Sequence, residues 1–193
     1  MTDDEILAEF RDADALLEGH FILSSGLHSP RYLQCARVLM DARRAARLAA
    51  ALAAKLPRDI AESVDAVVSP AMGGVIIGHE MGRALGKRAM FVERPEGEFY
   101  LRRGFALEPG ERVLMVEDVV TTGLSSKEAI RAIEEAGGKV VAAASLVDRS
   151  GGTVELGVPF TPLIRIDVPT YTAEDLPDAL ASLPATKPGS RAA

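Results

Sequence analysis

Residues 113–126 read Val113-Leu114-Met115-Val116-Glu117-Asp118-Val119-Val120-Thr121-Thr122-Gly123-Leu124-Ser125-Ser126. Four apolar residues stop at two adjacent acids, a hydroxyl-rich run follows around a glycine, and a helical pattern begins. The first four predict a buried strand, 112–116, and the last predict a helix over 124–136, with Gly137-Gly138 beyond it. In a parallel sheet this places carboxylates at a strand's carboxyl end and a phosphate-sized loop at a helix amino terminus.

Working outward, the same strand-turn-helix grammar recurs. Ala66-Val67-Val68 is a short strand, Ser69 to Gly74 a turn, and Val75 to Leu85 a helix. Gly74, Gly78 and Gly82 are spaced four apart on that helix, which lets it approach a sheet closely. Further strands are expected at 89–92, at 139–147 ending in Asp148-Arg149, and at 163–166. Residues 93–104 are polar and interrupted by Pro95 and Gly97, as in a mobile β-ribbon or lid. Strands alternating with helices indicate an α/β protein with a parallel sheet. The loops at 69–74, 93–104, 117–125 and 148–152 then share the edge where such sheets bind ligands.

The amino-terminal part reads differently. Ile6, Leu7, Phe10, Leu16 and Leu17 predict a helix over 3–18 that ends at Gly19. Residues 20–40 form a hairpin-like excursion, with His20 and His28 as polar loop residues and His79 on a helix face. Asp41 caps an alanine-rich helix to about Leu56. A short helix from about Ala173 and a tail from 186 expected to be disordered close the chain.

Bulk properties narrow the function. The 193 residues suit one domain, and the formal net charge of -6 disfavours non-specific nucleic-acid binding. Cys35 is the single cysteine, so neither an internal disulfide nor a cysteine zinc cluster is available. The acidic start is unlike a signal peptide, and no apolar run is long enough to span a bilayer. A cytoplasmic protein without membrane or nucleic-acid partners is expected.

Glu117 and Asp118 suit the two hydroxyls of a ribose, directly or around Mg2+, which prefers oxygen ligands. A helix-capping acid beside a solvated one is the plain alternative. Thr121, Thr122, Gly123, Leu124 and Ser125 offer hydroxyls and N–H groups to a phosphate at a positive helix end; an ordinary N-cap is again the alternative. The chain has no Gly-x-x-x-x-Gly-Lys-Ser/Thr loop and no Gly-x-Gly-x-x-Gly after a strand, so neither a nucleoside triphosphatase nor a dinucleotide fold is supported.

Together these residues resemble the phosphoribosyl pyrophosphate (PRPP) signature of the type I phosphoribosyltransferases. Gly19 to Tyr32 resembles the amino-terminal segment of orotate phosphoribosyltransferases, and Val147-Asp148-Arg149-Ser150-Gly151-Gly152 their later strand end. The resemblance extends to about Leu180. It implies a single domain over 1–185 with a type I phosphoribosyltransferase-like fold: a central parallel sheet flanked by helices, a small hood from about 1–40 and 160–180, and a flexible lid at 93–104.

The resemblance further implies that Glu117, Asp118, Val119, Val120, Thr121, Thr122, Gly123, Leu124 and Ser125 bind PRPP, and that Met72 and Gly73 approach its pyrophosphate. Thr121, Arg149, Ser24, Ser25 and Tyr32 would meet orotate, Arg149 through the carboxylate. Without the resemblance, a surface ion pair is the simpler reading of Arg149, and Tyr32 could be core. The catalytic set is Arg94, Arg102, Arg103 and Asp118. Mg2+ would be held mainly by PRPP and water, with Glu117 and Asp118 as candidate protein ligands. Homodimers with shared sites are typical of the family.

Two departures stand out. Ser24 replaces a lysine common in the family, and the lid contains arginines but neither lysine nor histidine. Arginine stays charged, so it suits electrostatic stabilisation better than proton donation. Transfer to a different base and a non-catalytic PRPP-binding regulator are the alternatives.

Overall fold

The computed structural model describes residues 1–23 and 25–187. Helix α1 spans Asp3–Asp12, and strands β1 and β2 span Leu16–Ile22 and His28–Leu33. Short α2 covers Cys35–Leu39, α3 Ala42–Lys55 and α4 Arg58–Ser63. Then β3 (Ala66–Pro70), α5 (Gly74–Leu85), β4 (Arg88–Glu93), β5 (Tyr100–Leu101), β6 (Arg112–Val120), α6 (Leu124–Glu135), β7 (Lys139–Asp148) and β8 (Phe160–Arg165) follow. The chain closes with α7 (Asp178–Ala181) and β9 (Ala185–Thr186).

The main sheet has the order β5-β4-β3-β6-β7-β8. All neighbours pair in parallel except β4 and β5. Among the parallel strands the order reverses between β3 and β6, a topological switch point. The loops after β3 and β6 therefore flank a natural crevice.

The strands are buried on both faces. Val67, Leu114 and Val116 pack with Leu48 and Leu52 of α3 and Ile77 and Met81 of α5. Val68, Val113 and Met115 face the other way, with Ala129 and Ile133 of α6. Successive strand residues serve opposite layers, as the pleat requires. Burying a leucine or isoleucine side chain contributes roughly 1.5–3 kcal/mol. The expected parallel α/β sheet flanked by helices is borne out.

The glycine stripe of α5 acts as the sequence implies. A Cβ on Gly78 would lie 2.4 Å from Ser69 Oγ, and one on Gly82 2.8 Å from Ala89 Cβ. The helix thus rests directly on β3 and β4. Asp41 caps α3, accepting from the N–H groups of Arg43 and Arg44 at 2.9 and 3.0 Å.

Several expectations are corrected. The amino-terminal helix stops at Asp12, since Leu16 and Leu17 pair with Leu33 and Tyr32 across β1 and β2. Cross-strand partners override a local spacing that also fits a helix. Helix α4 buries none of its residues, so it leaves no apolar period to detect. Strand β6 runs on to Val120, which pairs with Asp148. The motif's acids therefore lie within the strand rather than beyond it. Residues 160–165 belong to the main sheet, not to the hood, and the last helix begins at Asp178 rather than Ala173. Thr186 pairs with Phe21 in β9; the rest of the expected tail, 188–193, lies outside the described residues, as does Ser24.

His20 and His28 are strand residues, not loop residues. His20 is buried, and its Nε2 sits 2.6 Å from His28 Nδ1, while its Nδ1 is 3.1 Å from Leu183 O. The pair links the small sheet, ordered β2-β1-β9, to the carboxyl-terminal segment. Among the described residues no helix is long and apolar enough to cross a membrane.

Candidate active site

At the end of β6 the chain turns through exposed Thr121 and Thr122 to Gly123, whose φ of 76° begins α6. Gly123 makes no side-chain cap bond. The first-turn N–H groups of a twelve-residue helix are thereby presented with their positive dipole end. Leu124 N–H reaches Thr122 Oγ1 only at 3.4 Å. A simple Ser/Thr cap is thus not what the hydroxyls provide.

The two acids diverge. Glu117 is buried and borders a cavity of about 230 Å³ with Arg94, Glu128 and the 119–126 run. Burial foremost, then the neighbouring Asp118, pushes its carboxyl up to about 8, with Ser125, the Asp118 N–H and Arg94 opposing. Asp118 points instead towards the 71–73 turn. Its carboxylate oxygens lie 2.7 and 2.8 Å from the position of a Cβ on Gly73. Burial raises its pKa as well. The Cys35 thiol lies 3.8 Å from the Asp118 carbonyl, on which it can donate. Met72 is 84% exposed beside this turn, and the Ala71–Met72 peptide bond is cis.

The lid folds as a ribbon: β5 returns antiparallel to β4, with Val92 opposite Leu101 and Glu93 opposite Tyr100. Arg94 is the lid cation that reaches the motif cavity. It pairs with Glu128 and lies 4.2 Å over the Phe99 ring. Arg103 forks onto Glu93 at 2.9 and 2.7 Å, on the returning arm. Arg102 is exposed and forms no ion pair among the described residues. The structure therefore brings Arg94, but neither Arg102 nor Arg103, to the cavity.

On the other side of the motif, Arg149 follows β7, and its N–H donates to Val120 O at 2.8 Å. Its Nε is buried and has no hydrogen-bond partner among the described residues. Burial lowers its pKa, while Cys35 and Tyr32 oppose that shift. Tyr32 lies opposite Leu17 on β2, its ring 5.8 Å from that of Phe21. Ser25 is exposed in the turn between β1 and β2.

A larger cavity, about 580 Å³, opens between the small sheet and the 167–183 segment. Its Arg31 already pairs with Glu18 and donates to Asp167 O. The cavity holds none of the motif residues, which line the smaller one. Sequence reasoning missed Asp148 and Ser150 beside Arg149, and Val154 and Leu156 against Gly123. An acid ending an otherwise apolar strand was the available signal for Asp148. Among the described residues no group of three or more His, Cys, Asp or Glu could hold a metal.

The family model for the phosphoribosyl transferase domain matches residues 38–166. The chain belongs to the phosphoribosyltransferase family. It is 73% identical over 193 residues to the orotate phosphoribosyltransferase of Rhizorhabdus wittichii, covering 100% of this chain and 98% of the relative. The orotate phosphoribosyltransferase of Caulobacter vibrioides is 56% identical over 191 residues, covering 99% and 98%. The crystal structure of the Aeropyrum pernix orotate phosphoribosyltransferase superposes with a TM-score of 0.68 at 29% identity, covering 83% of this chain and 93% of that one. Within its family, the chain thus falls among the orotate phosphoribosyltransferases.

Proposed function

We propose that the protein transfers the 5-phosphoribosyl group of PRPP to N1 of orotate, giving orotidine 5′-monophosphate and pyrophosphate in pyrimidine biosynthesis. The observation that carries this reading is Arg149. Its buried Nε lacks a partner among the described residues, and its backbone is pinned to Val120, beside the phosphate loop. A buried guanidinium donor without a partner calls for an acceptor, and the orotate carboxylate is a planar one.

The bond from the anomeric carbon to pyrophosphate breaks as the bond to N1 forms, and the N1 proton leaves. Glu117 and Asp118 hold the ribose hydroxyls. Thr121 to Ser125, with the α6 amino terminus, hold the 5-phosphate. The turn at Met72 and Gly73 takes the pyrophosphate side, and Thr121 also meets the base with Tyr32, Ser24 and Ser25. Arg94 leads the lid cations in stabilising the departing charge, with Arg102 and Arg103 following on lid closure. A closed lid excludes water from a cationic sugar carbon.

Mg2+ fits as part of the PRPP substrate. The adjacent carboxylates of buried Glu117 and half-buried Asp118 are oxygen donors of the kind it prefers, and it neutralises pyrophosphate charge when bound. The same reading takes residues 1–185 as one domain with a hood and lid, working in the cytoplasm as a homodimer with shared sites.

Loss of orotate absorbance in the presence of protein, PRPP and Mg2+ tests the activity. Uracil and purines offered in competition test the base. Turnover with orotate alone is expected. PRPP binding without turnover would instead favour a regulator, an outcome made concrete by the engagement of Arg94 and Arg103 with acids of the same chain.

A further inference from the structure

Arg149 is held by its neighbours rather than by its own side chain. Asp148, the last residue of β7, is 1% exposed. Its Oδ1 accepts from the N–H of Ser150 at 2.8 Å and from the Ser150 hydroxyl at 2.6 Å. Its Oδ2 accepts from Arg165 Nε of β8 at 3.2 Å. Ser150 Oγ also accepts from the N–H groups of Gly152 and Val154 at 3.2 and 3.3 Å, and Thr153 Oγ1 donates to Ser150 O at 2.8 Å. A buried carboxylate this well satisfied fixes the groups that satisfy it.

The turn so fixed touches both halves of the site. At its start, the Arg149 N–H is bonded to Val120 O. At its end, Val154 lies against the phosphate loop: a Cβ on Gly123 would be 2.4 Å from Val154 Cγ2 and 2.9 Å from Leu156 Cδ2. The left-handed bend at Gly123 therefore rests on Leu156 and on Val154, whose backbone N–H donates to Ser150 Oγ.

We propose that Asp148 and Ser150 are positioning residues for base and phosphate together: their hydrogen bonds clamp the 149–154 turn, so that Arg149 and Gly123 are set by one element. This rests on the assignment of Arg149 to orotate and of residues 121–125 to PRPP. Because the turn serves both ligands, loosening it weakens both, whereas loss of Arg149 itself weakens only orotate.

The test is steady-state kinetics of the full chain with PRPP, Mg2+ and orotate. Ser150→Ala removes the hydroxyl's bonds and is expected to raise KM for both substrates about tenfold. Ser150→Thr keeps the hydroxyl and is expected to restore both values. Asp148→Asn retains an acceptor and drops the charge facing Arg165, so the same two constants should rise less. Unchanged KM values in Ser150→Ala, with only a lower Tm, would overturn the proposal, as would a rise confined to one substrate. Arg149→Ala, measured alongside, separates the two claims. If it leaves orotate KM unchanged, the base assignment fails and this inference with it. If it raises orotate KM while Ser150→Ala does nothing, only the inference fails.

Discussion

The carboxylate of Asp118 fills the space beneath Gly73, with its two oxygens 2.7 and 2.8 Å from where a Cβ on that glycine would stand. The turn after β3 and the acid of β6 are thus in direct contact across the point where the sheet order reverses. Gly73 is exposed and has ordinary helical torsions, φ -57° and ψ -42°. Its role is therefore close approach rather than an unusual backbone. Gly73→Ala is expected to push Asp118 aside and lower kcat/KM for PRPP by about tenfold to a hundredfold, as small misplacements of positioning groups do. Orotate affinity and Tm should change little. A substitution without kinetic effect would show that Asp118 need not hold this position.

Stability of the ligand-free protein should depend on Glu117 in an unusual direction. Burial, then Asp118, raises its pKa to about 8 from an ordinary value of 4.5. Between those values the folded protein holds a proton that the unfolded chain has released. Stability is then present in full below the lower value and is lost as pH rises through the window, by at most about 1.4 kcal/mol per pH unit. Urea titrations from about pH 5 to about pH 8 on the parent and Glu117→Gln would expose this. The parent should lose stability relative to the variant as pH rises; parallel curves would contradict the shift.

The lid arginines should separate kinetically. Arg94 borders the motif cavity, and Arg103 is engaged with Glu93 on the returning arm. Arg94→Ala is expected to lower kcat by about a hundredfold, the scale of losing one preorganised electrostatic donor. Arg103→Ala should cost less. Neither should alter orotate KM, because the residues proposed to meet the base, Tyr32 and Arg149, lie outside the lid. If both variants turn over normally, the lid cations have been wrongly assigned.

Much of this arrangement is written locally. The apolar run at 113–116, the hydroxyls around Gly123 and the glycine stripe of α5 each specify an element through nearby residues. What escaped depends on partners far along the chain. Val120 continues β6 only because Asp148 pairs with it. Leu16 and Leu17 leave the helical pattern only because β2 accepts them. The His20–His28 contact needs a hairpin to form before it has any meaning. The site divides in the same way. Glu117 and Arg149 carry recognisable chemistry, whereas Asp148, Ser150 and Val154 act through hydrogen bonds and packing that residue identity alone does not announce.

Met72, on the loop after β3, and Leu124, the first residue of α6 just past the loop after β6, face the crevice, 84% and 63% exposed. Both are apolar side chains held in water at the mouth of a site otherwise built from charges and hydroxyls. A ligand that seats between these loops, or a lid that covers them, strips that water away. Binding of PRPP with Mg2+ should therefore carry a negative heat-capacity change despite its ionic character. Calorimetric titrations at several temperatures should find that change reduced in Met72→Ser and Leu124→Ser. The opening of this site is thus tuned by hydration as well as by charge.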